Sequence, residues 1–95
     1  MATKSFRRSK ESKLYELLME SYFEIMGTTP IKLKKMYSLV KDSCPDLCDD
    51  SYINSRRTNE PEWHHIIKLV RNVLRNRGLA IRTENYSEWM FFPRS

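Results

Sequence analysis

Apolar residues recur at three- and four-residue spacing in three stretches of this chain and alternate with polar ones only near its end. In the first stretch Leu14, Leu17, Leu18, Ser21, Tyr22, Ile25 and Met26 share one side of a helix, and Glu16, Glu20 and Glu24 line the other. Ser9 or Ser12 can cap its start, and Gly27 stops it. Thr29 then caps a second helix that has Pro30 in its first position and runs to about Lys41. Ile31, Met36, Leu39 and Val40 form its buried side, with Leu33 and Tyr37 at the margins and Lys32, Lys34, Lys35 and Lys41 around the rest.

The third stretch is the best bounded. Pro61 fits a first helical position, and Gly78 fits a left-handed stop. At about 100° per residue, Trp63, Ile66, Ile67, Val70, Val73 and Leu74 share one side. His64, Lys68, Arg71 and Arg75 share another, with Asn72 beside them and no carboxylate on that face. Two aromatic and β-branched runs, Leu79 to Thr83 and Glu88 to Phe92, then flank Glu84-Asn85-Tyr86-Ser87 and predict a hairpin. Alternation turns Leu79, Ile81, Met90 and Phe92 toward the helices and leaves Arg82 and Trp89 more exposed. Asp42 to Asn59 reads as loop, with a short turn or strand near Ser51 to Ile53 anchored by Tyr52 and Ile53.

Helix, helix, loop, helix, hairpin is a mainly α chain with a small β-hairpin, an α+β class. The order predicts a winged helix-turn-helix: three helices plus a C-terminal two-stranded wing. Residues 1–10 are expected to form a basic flexible arm and residues 11–95 the single domain. Ninety-five residues can bury one core but leave little room for an enclosed cleft. No apolar run approaches the ~18 residues of a membrane span. Lys4, Arg7, Arg8 and Lys10 precede Glu11 where a signal peptide would be apolar, so a cytoplasmic place, or a nuclear one in a eukaryote, is expected.

Charge sharpens the picture. The net charge is +5, unevenly spread. Residues 1–41 carry nine Lys/Arg against four Glu, residues 42–62 two against six acids, and residues 63–95 six against two. An acidic connector between two basic blocks implies that part of the surface faces a polyanion. Lys and Arg contact phosphate, while Arg and Asn also read guanine and adenine edges in the major groove. The candidate DNA contacts are therefore His64, Lys68, Arg71, Asn72 and Arg75 on the third helix, and Arg56 and Arg57 just upstream. Arg82 and Asn85 join them from the wing, and Arg7, Arg8 and Lys10 from the arm.

Other chemistry has less behind it. Trp63 opens the apolar stripe and reads as core; Trp89 reads either as core or as an exposed aromatic that stacks on a base. Cys44 and Cys48 with His64 and His65 invite zinc, yet adjacent histidines point about 100° apart on a helix and a fourth ligand is lacking. Two reduced thiols and no metal or cofactor are expected. The Asp46, Asp49 and Asp50 cluster reads as a solvated loop. No spacing aligns a nucleophile, a base and an orienting acid, so the chain is not expected to be an enzyme.

Cys48-Asp49-Asp50-Ser51, Glu62-Trp63-His64-His65, Arg71 and Leu74-Arg75-Asn76-Arg77-Gly78-Leu79 carry a resemblance. Through them residues 44 to 92, about half the chain, look like the winged-helix modules attached to some Dam-replacing (methyl-directed) restriction enzymes. The resemblance implies a module that binds duplex DNA, modified bases included, through Lys68, Arg71, Asn72 and Arg75. The nuclease domain of those enzymes has no counterpart in these residues. The expected function is a non-catalytic double-stranded DNA-binding domain with its third helix in the major groove. Two other readings stay open. One is a winged-helix protein-interaction module with an exposed patch of Leu69, Trp89 and Phe91; the other is an RNA or single-strand binder that stacks bases on Trp89 and Tyr86.

Overall fold

Helices and short strands follow in the order α1 (Ala2–Met26), β1 (Ile31–Lys32), α2 (Leu33–Ser43), α3 (Glu62–Asn76), β2 (Ala80–Arg82) and β3 (Glu88–Phe91). A single 3-10 turn, Pro45–Leu47, follows α2. The computed structural model describes residues 2–51, 59–85 and 87–94, with side chains from Lys10 onward. Among these residues the protein is mainly helical with a three-stranded antiparallel sheet in the order β1-β3-β2. None of the described helices is long and apolar enough to cross a membrane.

Helix α1 begins at Ala2, well ahead of Ser9 or Ser12, and so takes in the stretch expected as an arm. Nothing between Ala2 and Lys10 breaks a helix, because the stretch holds neither Gly nor Pro. Non-helical angles at Ser21 kink α1 in its second half. Leu14, Leu18, Met19, Tyr22 and Met26 are buried, while Leu17 and Ile25 lie at the margin. The helix ends as expected. Gly27 takes φ +78° and donates to the Phe23 carbonyl at 2.8 Å, a left-handed stop.

The second helix departs from its expected start at Pro30. Ile31 and Lys32 instead form β1, an edge strand paired with Trp89 and Glu88 of β3, and α2 begins at Leu33. Two residues are too few for an alternating pattern, and β-branched Ile31 suits the pleated edge. Met36 and Val40 are the buried residues of α2. Cys48, just past the 3-10 turn, also enters the core. Leu33, Tyr37 and Leu39 pack partly buried against it.

Helix α3 buries Trp63, Ile67, Val70 and Leu74 against α1 and the sheet. Each such side chain contributes about 1.5–3 kcal/mol when taken fully out of water. Pro61 lies one position earlier than expected: its ψ of 150° makes it the N-cap, with Glu62 first in the helix. Gly78 (φ +76°) donates to the Arg75 carbonyl and Leu79 to the Leu74 carbonyl, the paired bonds of a Schellman stop. That stop turns the chain directly into β2.

The hairpin extends as far as its sequence predicted. Phe92 N–H reaches the Leu79 carbonyl at one end, and Thr83 N–H the Glu88 carbonyl at the other. Leu79 packs against the core and Arg82 is exposed, both as expected, but at Ile81, Trp89 and Phe91 the facing is the reverse of the expectation. Ala80 pairs with Phe91 and Arg82 with Trp89, and this set faces the helices; Ala80, Phe91 and Trp89 are all buried. Ile81, opposite Met90, is 45% exposed. Met90-Phe91-Phe92 is apolar throughout and hides the parity, and a residue as small as Ala80 gives no hydrophobic signal for the inner face.

Candidate nucleic-acid interface

One face of α3 and the helix-facing side of β2 meet over Trp89. Arg71 and Arg75 are four residues apart on α3 and therefore stack on one side of it. Arg82 is the cross-strand partner of Trp89 and projects from the same side of the sheet. The three guanidinium carbons lie 4.4 Å (Arg71), 5.8 Å (Arg75) and 5.3 Å (Arg82) from the centroid of the Trp89 ring. Their side chains lie over the indole, and Trp89, on the central strand and paired on both sides, is only 2% exposed.

None of these three arginines has an acidic partner among the described residues. Arg71 is the most enclosed. Burial pulls its pKa down, and the neighbouring charges of Arg82 and Arg75 pull it the same way. Its Nε is buried, and no acceptor among the described residues reaches it. An unmet buried donor of this kind costs about 1–3 kcal/mol. Cation–π attraction to Trp89 offsets part of that, on the order of 0.5–2 kcal/mol per cation.

Two of the other three candidate groups on the helix, His64 and Lys68, are already engaged. Glu60, just ahead of α3, accepts from His64 Nδ1 at 3.1 Å and from Lys68 Nζ at 3.3 Å. The Tyr37 hydroxyl donates to the same carboxylate at 3.3 Å. Burial alone would raise the Glu60 pKa, but the bonds from His64 and Lys68 outweigh it and hold it below the usual range. The helix face has no carboxylate in its own sequence; folding brings it one from the preceding turn. Asn72 is exposed beside the arginines.

The remaining candidates are dispersed. Asn85 sits in the hairpin turn, where its carbonyl accepts from Glu88 N–H and its Oδ1 from Ser87. Lys10 Nζ lies 4.0 Å from Asp49 Oδ2, on the side where Leu47 and Trp63 also pack. Arg7 and Arg8 belong to α1 by their backbone, but their side chains lie outside the described residues, as do Arg56, Arg57, Tyr52, Ile53 and Tyr86.

The sequence did not disclose a second polar cluster at the start of α3. Trp63 Nε1 donates to Asp50 Oδ1 at 2.8 Å, and Lys41 Nζ to Asp50 Oδ2 at 2.7 Å. Lys41 first and Trp63 second hold the Asp50 carboxyl below its ordinary pKa. The loop acid thus clamps α2 to α3. Cys44 donates to the Val40 carbonyl, and burial pushes the Cys48 thiol up to about 12.

Burial also corrects two alternatives. Trp89 and Phe91 are each 2% exposed, so neither joins Leu69 in an apolar patch. Trp89 offers no open face for a base, since its ring lies under arginines. Leu69, at 48%, is the exposed member of that trio. In comparisons with known proteins the chain matches no family model, no curated protein and no solved structure.

Proposed function

We propose that this chain is a winged-helix module that binds double-stranded DNA without catalysing a reaction on it. The observation that carries the reading is the convergence of Arg71, Arg75 and Arg82 from α3 and β2 on one ring, with no acidic partner among the described residues. A structural cation cluster is ordinarily matched by carboxylates; this one leaves its charge for an outside partner. The order α1-β1-α2-α3-β2-β3, with β1 completing the sheet, supports the winged-helix assignment. In it α3 is the recognition helix, carrying Asn72 toward base edges, and the β2–β3 hairpin is the wing. The likeness of residues 44 to 92 to modules of methyl-directed restriction enzymes belongs to the same proposal, modified DNA included.

Fluorescence anisotropy with a labelled duplex tests it, comparing the wild type with Arg71→Gln/Arg75→Gln at two salt concentrations. Salt-dependent binding that the double variant loses is the expected result. Equal binding by a folded double variant, or none by the wild type at low salt, would sink the reading.

A further inference from the structure

We propose that Arg71, Arg75 and Arg82, over the floor of Trp89, form a preformed seat for one phosphate oxyanion, occupied in the duplex complex by an internal backbone phosphodiester. The choice of that source rests on the DNA-binding reading; the seat itself rests on geometry.

Three observations point the same way. Guanidinium groups from two different elements are gathered over a single ring, each with its carbon within 5.8 Å of the centroid, and the charges of Arg82 and Arg75 act on Arg71. Arg71 Nε, one of the five donors of that side chain, faces no acceptor among the described residues although it is buried. The backbone arrangement fixes the cluster. Arg82 is in register with Trp89, and Arg71 and Arg75 are one helical turn apart, so no loop has to move to bring them together. An anion with several oxygens relieves the mutual repulsion of the three cations and matches the planar guanidinium fork.

A division of labour follows. The most enclosed arginine on the α3 face sets the position of the helix on the backbone and does not read a base edge. Base readout then falls to Asn72, which is exposed one position further along.

The test follows the Arg71 Nε–Hε resonance by 15N NMR, assigned through Arg71→Lys. Inorganic phosphate is titrated against chloride at matched ionic strength. A saturable shift at Arg71 and at the Trp89 indole, specific to phosphate, is the expected result. Arg82→Gln, an exposed position whose variant should keep the wild-type spectrum elsewhere, should weaken phosphate binding by about tenfold, the worth of a charge-assisted contact. Identical small, unsaturable shifts with both anions would overturn the seat, even if duplex still bound elsewhere. A second arm asks where the phosphate comes from. Phosphate should displace labelled duplex better than chloride, equally for duplexes with and without a 5′-phosphate. Displacement only from the 5′-phosphorylated duplex would overturn the internal-diester assignment. Saturable phosphate binding with no duplex binding would leave the seat standing and remove the DNA-binding reading.

Discussion

The rings of Tyr37 and His64 stack with centroids 3.8 Å apart and planes 8° from parallel, joining α2 to the first turn of α3. Both side chains also reach the Glu60 carboxylate, the histidine through Nδ1 and the tyrosine through its hydroxyl. His64 is therefore a brace between helices, and its place on the basic face of α3 is occupied by structural work. Lys68 shares the same acceptor. The α3 surface thus divides into a half neutralised by Glu60 and a half, around Arg71 and Arg75, that keeps its charge.

Glu60 should consequently act as a brake on polyanion binding. Glu60→Gln frees Lys68 and removes a negative charge beside the proposed interface. Duplex affinity should rise, and the log–log salt slope should steepen by about one unit, the effect of one additional phosphate contact. Glu60 is partly exposed and its ion pairs are screened, so the stability change should stay below about 1 kcal/mol. Anisotropy across a salt series, with thermal unfolding as control, checks both parts. An unchanged slope would show that Lys68 never faces phosphate.

Trp89 should matter to the fold before it matters to any ligand. Trp89→Ala removes the floor on which three arginine stems lie and should cost about 3–5 kcal/mol in denaturant unfolding. Trp89→Phe keeps an aromatic face at smaller volume and should retain most of the stability. A full-strength Trp89→Ala variant would contradict the burial described above.

Gly78→Ala isolates backbone strain. Nothing lies within 4 Å of where the new Cβ would sit, so packing is not disturbed. Only the positive φ of 76° resists, at a cost of about 1–2 kcal/mol. Urea unfolding of this variant beside Asn76→Ala, which changes the same helix end without touching the turn, measures that cost.

Long-range periodicity made the helices legible: the buried residues of α3 are the ones its 3.6-residue stripe names, and both glycine stops close as their identity demands. What escaped was decided across the chain. Strand β1 exists because Ile31 finds Trp89, fifty-eight positions away, and no local pattern of two residues reports that. The inner face of the hairpin was hidden by an apolar run and by Ala80, whose burial is imposed by its neighbours. The candidate site was legible as a list of cations and illegible as a pattern of pairing. That Glu60 takes Lys68 and His64, while Arg71, Arg75 and Arg82 take a tryptophan, follows from how α3 meets the sheet.

The two thiols give a prediction in pH. Burial raises the Cys48 pKa to about 12, from an ordinary value of 9.0, and raises that of Cys44 as well. Below pH 9 both thiols are neutral in the folded and unfolded chains and contribute nothing that varies. As pH rises past 9, the unfolded chain loses the Cys48 proton while the folded chain keeps it, so stability present below pH 9 is lost progressively toward pH 12. The loss should approach about 1.4 kcal/mol per pH unit for that one proton. Lys41, whose pKa is raised by its hydrogen bond to Asp50, loses its contribution at the upper end of the same window. Cys48→Ala separates the two: urea unfolding between pH 8 and pH 11 should give a flatter decline than wild type, whatever its starting stability. Thiol labelling at pH 8 should agree, with the half-buried Cys44 reacting at least about tenfold faster than the buried Cys48. A parallel decline in the two proteins, or equal labelling rates, would mean that Cys48 is not held neutral by the core.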